Sequence, residues 1–353
     1  MLCYADIQQL HRIAQQYDCR RSHSKNELIQ AILAKAYNRD VMEKQVTNFT
    51  IEDLRFMNSV LFERKKNFSL EELLAKAQET QFSRNKQRNP REMITEYRHR
   101  GWLFNGVTNE NRYLFQFPAD LKKRIGEVML KQLSKKVQVA EEPEVYKDEQ
   151  HLLAEDVQTF LCYIHRHDLP LTTAGYLYKR QLQQLLQTMT IEEPLVPKKA
   201  WRFGYGRRYK EYPDRFSLLY DYCYDNGWIY ETSDRLLLTD RGEKQVLGED
   251  KIDLSSMYRF WLRVYREPIP NIKAMVHWIE KLSSDWVTVQ SITETLAQFI
   301  KPFYYDEVDH ILHKRLLQMM LHLGLITLGE HSVHGAVMRS TDQGSHLIRT
   351  ANI

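Results

Sequence analysis

The chain has 353 residues, 43% of them hydrophobic and 27% charged, and no run of eighteen apolar residues, so a spanning helix is not expected and two to four domains fit the length. Residues 1–140 hold 25 Lys and Arg against 16 Asp and Glu, whereas residues 141–353 hold 25 against 30, so the net charge of +4 hides a basic first part that directs anionic partners there. Cys3, Cys19, Cys162 and Cys223 form no CxxC pair, the opening residues lack a basic-then-apolar leader, and with only 13 Gly and 10 Pro helix should dominate; a reducing cytoplasm is the expected setting.

Helical periodicity begins at once. Ile7, Leu10, Ile13, Ala14 and Tyr17 recur at three- and four-residue spacing. A basic loop with Arg20, Arg21, His23 and Lys25 follows. Ser24, with Glu27 three residues on, has the pattern of a capping box opening a second helix.

In residues 50–140, helices are predicted over 51–65, 70–78 and 90–100. Asn89 is placed to cap the third, with Pro90 at its first position. Gly101 should end it in the left-handed conformation. Trp102-Leu103-Phe104, a polar tip and a return strand then predict a hairpin, and Phe117-Pro118-Ala119-Asp120 leads into a further helix.

The same order recurs twice. Residues 150–250 predict helices over 155–167 and 172–187, then a helix ended by Gly227, the apolar stretches Trp228-Ile229-Tyr230 and Leu236-Leu237-Leu238, and Thr239-Asp240-Arg241-Gly242. Residues 255–353 predict helices over 272–282 and 289–299, a helix ended by Gly324, then Leu325-Ile326-Thr327 and Thr341-Asp342-Gln343-Gly344. The threonine in each can cap the helix that follows. Glycine to glycine is 15 residues in the second copy and 20 in the third, and the extra five are expected in the hairpin tip, where insertions cost little. Residues 257–282 are rich in large apolar side chains that either cement the repeats or offer a dimer surface.

Helix, glycine, two-stranded hairpin, helix resembles the second half of a winged-helix domain. The run from Leu236 to Gly242 resembles the wing-to-helix passage of MarR- and PadR-like regulators. Residues 1–40 resemble a SAP-like or Rho-N-terminal-like helix–extended-loop–helix module, with Ser24 where a glycine usually precedes the lysine. Together they resemble the DNA-binding region of bacterial helicase-associated proteins related to the N-terminal part of XPB-type helicases, and Phe115-Gln116-Phe117-Pro118 fits that group's strand-to-helix habit. The helicase motor's GxxxxGK[ST] motif does not occur. The resemblance implies a mainly α fold with short β-hairpin wings: a SAP-like module (1–40), a basic winged helix (50–140), a second (150–250), and a third with preceding helices (255–353).

Enzyme motifs come out empty: GxSxG, HExxH and GxGxxG are missing, and no catalytic residue, cofactor or metal is expected. His165 with His167, and His310 with His313, read as surface histidines, since no further ligand completes a set at zinc spacing. Nucleic-acid signals are stronger. The helix over 90–100 should turn Met93, Ile94 and Tyr97 inward and Arg91, Thr95, Arg98 and, at its end, Arg100 outward, with Arg84, Lys86 and Arg88 just before it. The second copy's equivalent helix carries Asp214, Asp221 and Asp225 and should be repelled by phosphate. The loop before it, residues 198–210, interleaves Arg202, Arg207 and Arg208 with aromatics; it suits single-stranded nucleic acid, or else Trp201 and Phe203 plug the core. The expected function is non-enzymatic DNA binding, duplex first and single strand second, in transcription regulation or in replication and repair. Arg20, Arg21, Lys25 and the residues named above would make the contacts, and a protein partner such as a helicase is expected at residues 141–353. The rival readings are a protein-interaction scaffold and, behind it, a nuclease.

Overall fold

The structure is a computed structural model that describes residues 1–19, 22–36, 38–63, 65–82, 88–197, 202–248 and 252–351. It is mainly helical with three small antiparallel sheets, and it divides into two units, Met1–Val137 and Gln138–Ile353. No described helix is long and apolar enough to cross a membrane.

In the first unit, Asp6 accepts from the Gln9 amide and opens α1 (Ile7–Gln16). The capping box predicted for α2 (Lys25–Ala36) forms in half. Ser24 Oγ accepts from Glu27 N at 3.5 Å, but the Glu27 carboxylate turns to the Ser22 hydroxyl. The reason is local: Ser22 Oγ already holds the Ser24 amide at 3.0 Å. An unforeseen α3 (Arg39–Thr47) comes next. Full capping boxes, Thr50 with Asp53 and Ser69 with Glu72, open α4 (Ile51–Leu61) and α5 (Leu70–Glu79). Then come α6 (Pro90–His99), β1 (Phe104–Asn105), β2 (Phe115–Gln116) and α7 (Ala119–Ser134).

The N-terminal module does not stand apart. Leu10, Ile13, Leu28 and Ile32 of α1 and α2 share one core with Phe104 of β1. The Tyr17 hydroxyl donates to the Arg100 carbonyl at 2.8 Å. Gly101, at φ +69°, lets α1 approach so closely that a Cβ there would lie 3.1 Å from Ile13 Cγ2.

The second unit runs through β3 (Val145–Lys147), α8 (Leu152–Arg166), β4 (Leu169–Pro170), α9 (Lys179–Leu186), α10 (Asp214–Asp225), β5 (Ile229–Glu231), β6 (Arg235–Leu238) and α11 (Asp240–Val246). It continues with α12 (Leu254–Tyr265), α13 (Ile272–Leu282), β7 (Val287–Thr288), α14 (Val289–Ala297) and α15 (Val308–His310). A π-helical stretch (Ile311–Leu317) joins α15 to α16 (Gln318–His322), and β8 (Ile326–His331), β9 (Gly335–Ser340) and α17 (Asp342–Ala351) close the chain. The helix predicted from 172 begins only at Lys179, because residues 171–177 close a loop on Gly175 (φ +77°) with Leu171 bridging Leu177.

One connectivity occurs three times: helix, one short strand, two helices, hairpin. The short strand pairs antiparallel with the second hairpin strand in each, as Phe68 with Phe115, Leu169 with Leu236, and Val287 with Met338. Gly227 and Gly324 end their helices at φ +64° and +66°. The following threonine does two jobs. Thr239 Oγ1 donates to the Gly227 carbonyl at 2.6 Å and accepts from Gly242 N at 3.1 Å. Thr341 does the same between Gly324 (2.7 Å) and Gly344 (2.8 Å). The motif's glycine is dictated by contact, since a Cβ at Gly242 or Gly344 would come within 2.1 Å of the Trp228 carbonyl oxygen or 2.4 Å of that of Leu325. Thr-Asp-x-Gly is thus a latch between the helix end and the next helix start.

The five extra residues of the third copy are not in the tip, which is three residues in both hairpins, 232–234 and 332–334. They lengthen the strands, from three and four residues in β5 and β6 to six each in β8 and β9. The longer strands have extra partners. Residues 138–147 bond to β7 at one edge, with Thr288 N donating to Gln138 O at 3.0 Å, and reach the opposite edge, where β3 pairs with β8. The outer edges of β7 and β8 are therefore both paired, and β3 becomes the sheet's exposed edge. The apolar segment over 257–282 cements the repeats: Phe260 of α12 meets Tyr222 of α10 at 5.6 Å between ring centres, and Tyr265 meets Tyr205 at 4.9 Å.

Candidate nucleic-acid interface

α6 is built as the sequence pattern requires. Asn89 Oδ1 accepts from Arg91 N at 2.9 Å, and Pro90 occupies the first turn, where no amide is needed. Met93, Ile94 and Tyr97 are buried, with Tyr97 stacked on Phe56 at 5.1 Å. Beneath the helix, the buried Asp53 carboxylate accepts from Tyr97 Oη at 2.6 Å, Arg88 Nη1 at 2.8 Å, and the Thr50 amide and hydroxyl at 3.1 and 2.9 Å. Burial by itself would raise its pKa; the Tyr97, Arg88 and Thr50 donors outweigh that and hold it below the usual carboxylate range.

Arg91 and Thr95 are exposed, beside Glu92. The Thr95 hydroxyl donates to the Arg91 carbonyl at 2.8 Å, so it is committed to its own helix unless a ligand displaces it. Arg98 is half-buried, its guanidinium 5.5 Å above the Phe115 ring and its Nε buried without a hydrogen-bond partner. Arg100 pairs with Glu96 and lies over Trp102 at 5.3 Å. Arg88 binds Asp53 and Glu96, which makes it a strut under α6. Lys25 is exposed at the start of α2. Arg20, Arg21, Arg84 and Lys86 lie outside the described residues.

One pair escaped the reading of the sequence. At the long tip between β1 and β2, Arg112 and Tyr113 are both exposed, with the guanidinium 4.6 Å from the ring. Their adjacency in a polar tip was the signal that could have found them.

Of the three arginines expected at an interface in residues 198–210, Arg202 and Arg208 turn inward and Arg207 is exposed but engaged; Lys198, Lys199 and Trp201 lie outside the described residues. Arg202 donates to the Tyr212 carbonyl at 2.8 Å and pairs with Asp214. Arg208 pairs with Glu231 at 2.7 Å. Arg207 lies 3.6 Å from the centre of the Tyr224 ring and reaches Glu231 at 3.3 Å, although its side chain stays partly exposed. These cations are drawn to carboxylates that have lost water, so phosphate would have to compete with them.

The acidic helix of the second copy does not face solvent as one. α10 is buried from Arg215 to Cys223. Arg215 pairs with Asp156, Asp214 with Arg202, and Asp225 with Arg263. Asp221 is buried and accepts from Arg207 N at 2.7 Å. What distinguishes this helix is enclosure, not exposed negative charge. In the third copy, the equivalent helix leaves only an edge with Asp309, His310 and Lys314 exposed.

Among the described residues no three His, Cys, Asp or Glu side chains converge as a metal set. His165 meets Glu243 at 2.8 Å, and His310 meets Asp306 at 2.6 Å. Compared with family models, with curated proteins and with solved structures, the chain matches none.

Proposed function

We propose that the three repeats are winged-helix units, that residues 1–40 are a SAP-like arm, and that the protein is a non-enzymatic DNA-binding protein whose first unit grips the duplex. The observation that carries this reading is the placement of α6. It keeps an open polar face in the unit that holds the basic excess, while α10 is enclosed and the third copy's helix shows only an edge. The charge boundary supports it too. Residues 138–140 carry no charge, so the 25 Lys and Arg against 16 Asp and Glu all belong to the first unit. In this reading α6 enters the major groove through Arg91 and Thr95, Arg112 and Tyr113 at the hairpin tip touch the backbone, and Lys25 adds a phosphate contact. Residues 138–353 supply shape and a partner surface.

The test is duplex binding by the full chain across a salt series. Log affinity should fall linearly with log salt; Arg112→Ala should flatten the slope by about one phosphate contact, and Arg91→Ala should cost about 1–3 kcal/mol and relax sequence preference. A chain that binds no duplex at low salt belongs to the adaptor reading. Cleavage of the DNA in magnesium would instead point to a nuclease.

A further inference from the structure

The second unit carries an aromatic feature that the sequence pattern does not single out. Residues Phe303 to Asp306 form a tight turn closed by two backbone hydrogen bonds, Phe303 N to Asp306 O at 3.0 Å and Asp306 N to Phe303 O at 2.9 Å. At its tip Tyr304 is 81% and Tyr305 69% exposed. Tyr304 sits at φ +51°, a left-handed backbone that a bulky side chain rarely adopts. Strained backbone persists only where surrounding structure imposes it.

Here the surroundings do impose it. Asp306 is almost fully buried and accepts from Arg315 Nε at 2.9 Å, from Tyr205 Oη at 2.8 Å, and meets His310 Nδ1 at 2.6 Å. Arg315 belongs to the π-helical stretch, a departure from regular helix that recurs at functional sites, and also donates to the Phe203 carbonyl. The Phe203 ring backs the turn, 6.3 Å from Tyr304 and 5.9 Å from Tyr305 between centres. The two tyrosines are thus held on a braced ledge. On the flanking residues 202–210 and 301–310, Arg207 is engaged by Glu231, and the other exposed Lys, Arg, Asp and Glu residues are Lys210 and Lys301, with Glu307 and Asp309.

We propose that this ledge binds single-stranded nucleic acid by stacking unpaired bases on Tyr304 and Tyr305, with Lys210 and Lys301 meeting the phosphates. Braced aromatic side chains in segments that also offer lysines are what sequence-tolerant strand binding needs. Of the interleaved segment, residues 202–210 would contribute in this way, with Phe203 as a brace and Lys210 as a contact in place of the arginines. The site uses none of the residues proposed for duplex contact at α6.

The test uses the full chain and two probes, a fluorescein-labelled oligothymidylate and a labelled duplex. Tyr304→Gly removes the ring and relieves the left-handed strain, so folding should be kept or improved. Tyr304→Gly and Tyr305→Ala should each weaken oligothymidylate binding about 5- to 100-fold without changing its salt slope, since stacking releases no counterions. Duplex affinity should stay within about twofold, and Tyr305→Phe should bind the oligothymidylate as the parent does. Lys301→Ala should flatten the slope on the single strand. An oligothymidylate affinity unchanged by both tyrosine variants, or a parent chain that does not bind it, overturns the proposal and gives the ledge to a protein partner. Failure of duplex binding alone would overturn only the reading of the first unit.

Discussion

Asp221 offers the sharpest test of how the second unit is built. It is 6% exposed. One carboxylate oxygen accepts from Arg207 N at 2.7 Å, and Oδ1 is buried without a hydrogen-bond partner. Burial raises its pKa from 3.8 to about 6, with the Arg207 amide and the charges of Arg207 and Arg208 only partly resisting. A carboxyl whose folded pKa lies above its unfolded one binds its proton more tightly when folded. Stability therefore rises as pH falls through the window from about 6 to 3.8, and above pH 7 the full penalty is present. A rise of that size corresponds to about 3 kcal/mol between the protonated and ionised forms. Asp221→Asn should remove the titration. Its amide group stands where Oδ1 lacked a partner and takes back about 1 kcal/mol, so the variant should be about 1–2 kcal/mol more stable at pH 8. Near pH 4 it should lose this advantage. Urea unfolding at pH 4 to 8 followed by tryptophan fluorescence suits the question, because five of the six tryptophans lie in the second unit. If the two stability curves stay parallel from pH 4 to pH 7, the carboxyl is not raised and this account of α10 fails.

Other changes probe the remaining devices. Thr341→Val breaks a buried latch at both ends and should cost about 2–3 kcal/mol in urea melts; Thr239→Val, at a half-buried copy of the same latch, should cost about 1–2. Equal costs below about 0.5 kcal/mol would dismiss the latch. Asp53 has the opposite sign to Asp221: its folded pKa is depressed, so its stabilisation is present above the ordinary carboxylate pKa and is lost as pH falls from there through the lower folded one. Asp53→Asn should cost about 2–3 kcal/mol at pH 7, less than a wholly buried pair because Arg88 keeps Glu96, and thermal melts should show the deficit shrinking in acid. Gly344→Ala should be more damaging than any latch threonine, since a Cβ there meets backbone that cannot move aside, and loss of soluble protein is the expected reading.

What was legible in the sequence was local. Gly101, Gly227 and Gly324 each announced a helix end because only glycine takes positive φ without cost, and Asn89-Pro90 announced a helix start through capping chemistry. These signals work because cause and residue sit within one turn of each other. The destination of a long charged side chain is different, since it is decided by partners distant in sequence. Arg88 looks like its neighbour Arg91, yet Asp53, 35 positions away, takes one and leaves the other in water. Arg202, Arg207 and Arg208 read as an interface and fold onto Asp214 and Glu231. The five extra residues of the third hairpin looked like a loose tip because their partner, β3, lies about 180 residues upstream in the chain. The tyrosine ledge follows the same logic in reverse. Nothing within Phe303-Tyr304-Tyr305-Asp306 says that the turn is rigid; that comes from Arg315 and Tyr205, which arrive from two other segments and hold its aspartate from below. Charge counted along the chain therefore identifies which unit is basic, and only the ion pairs decide which of its cations stay in water.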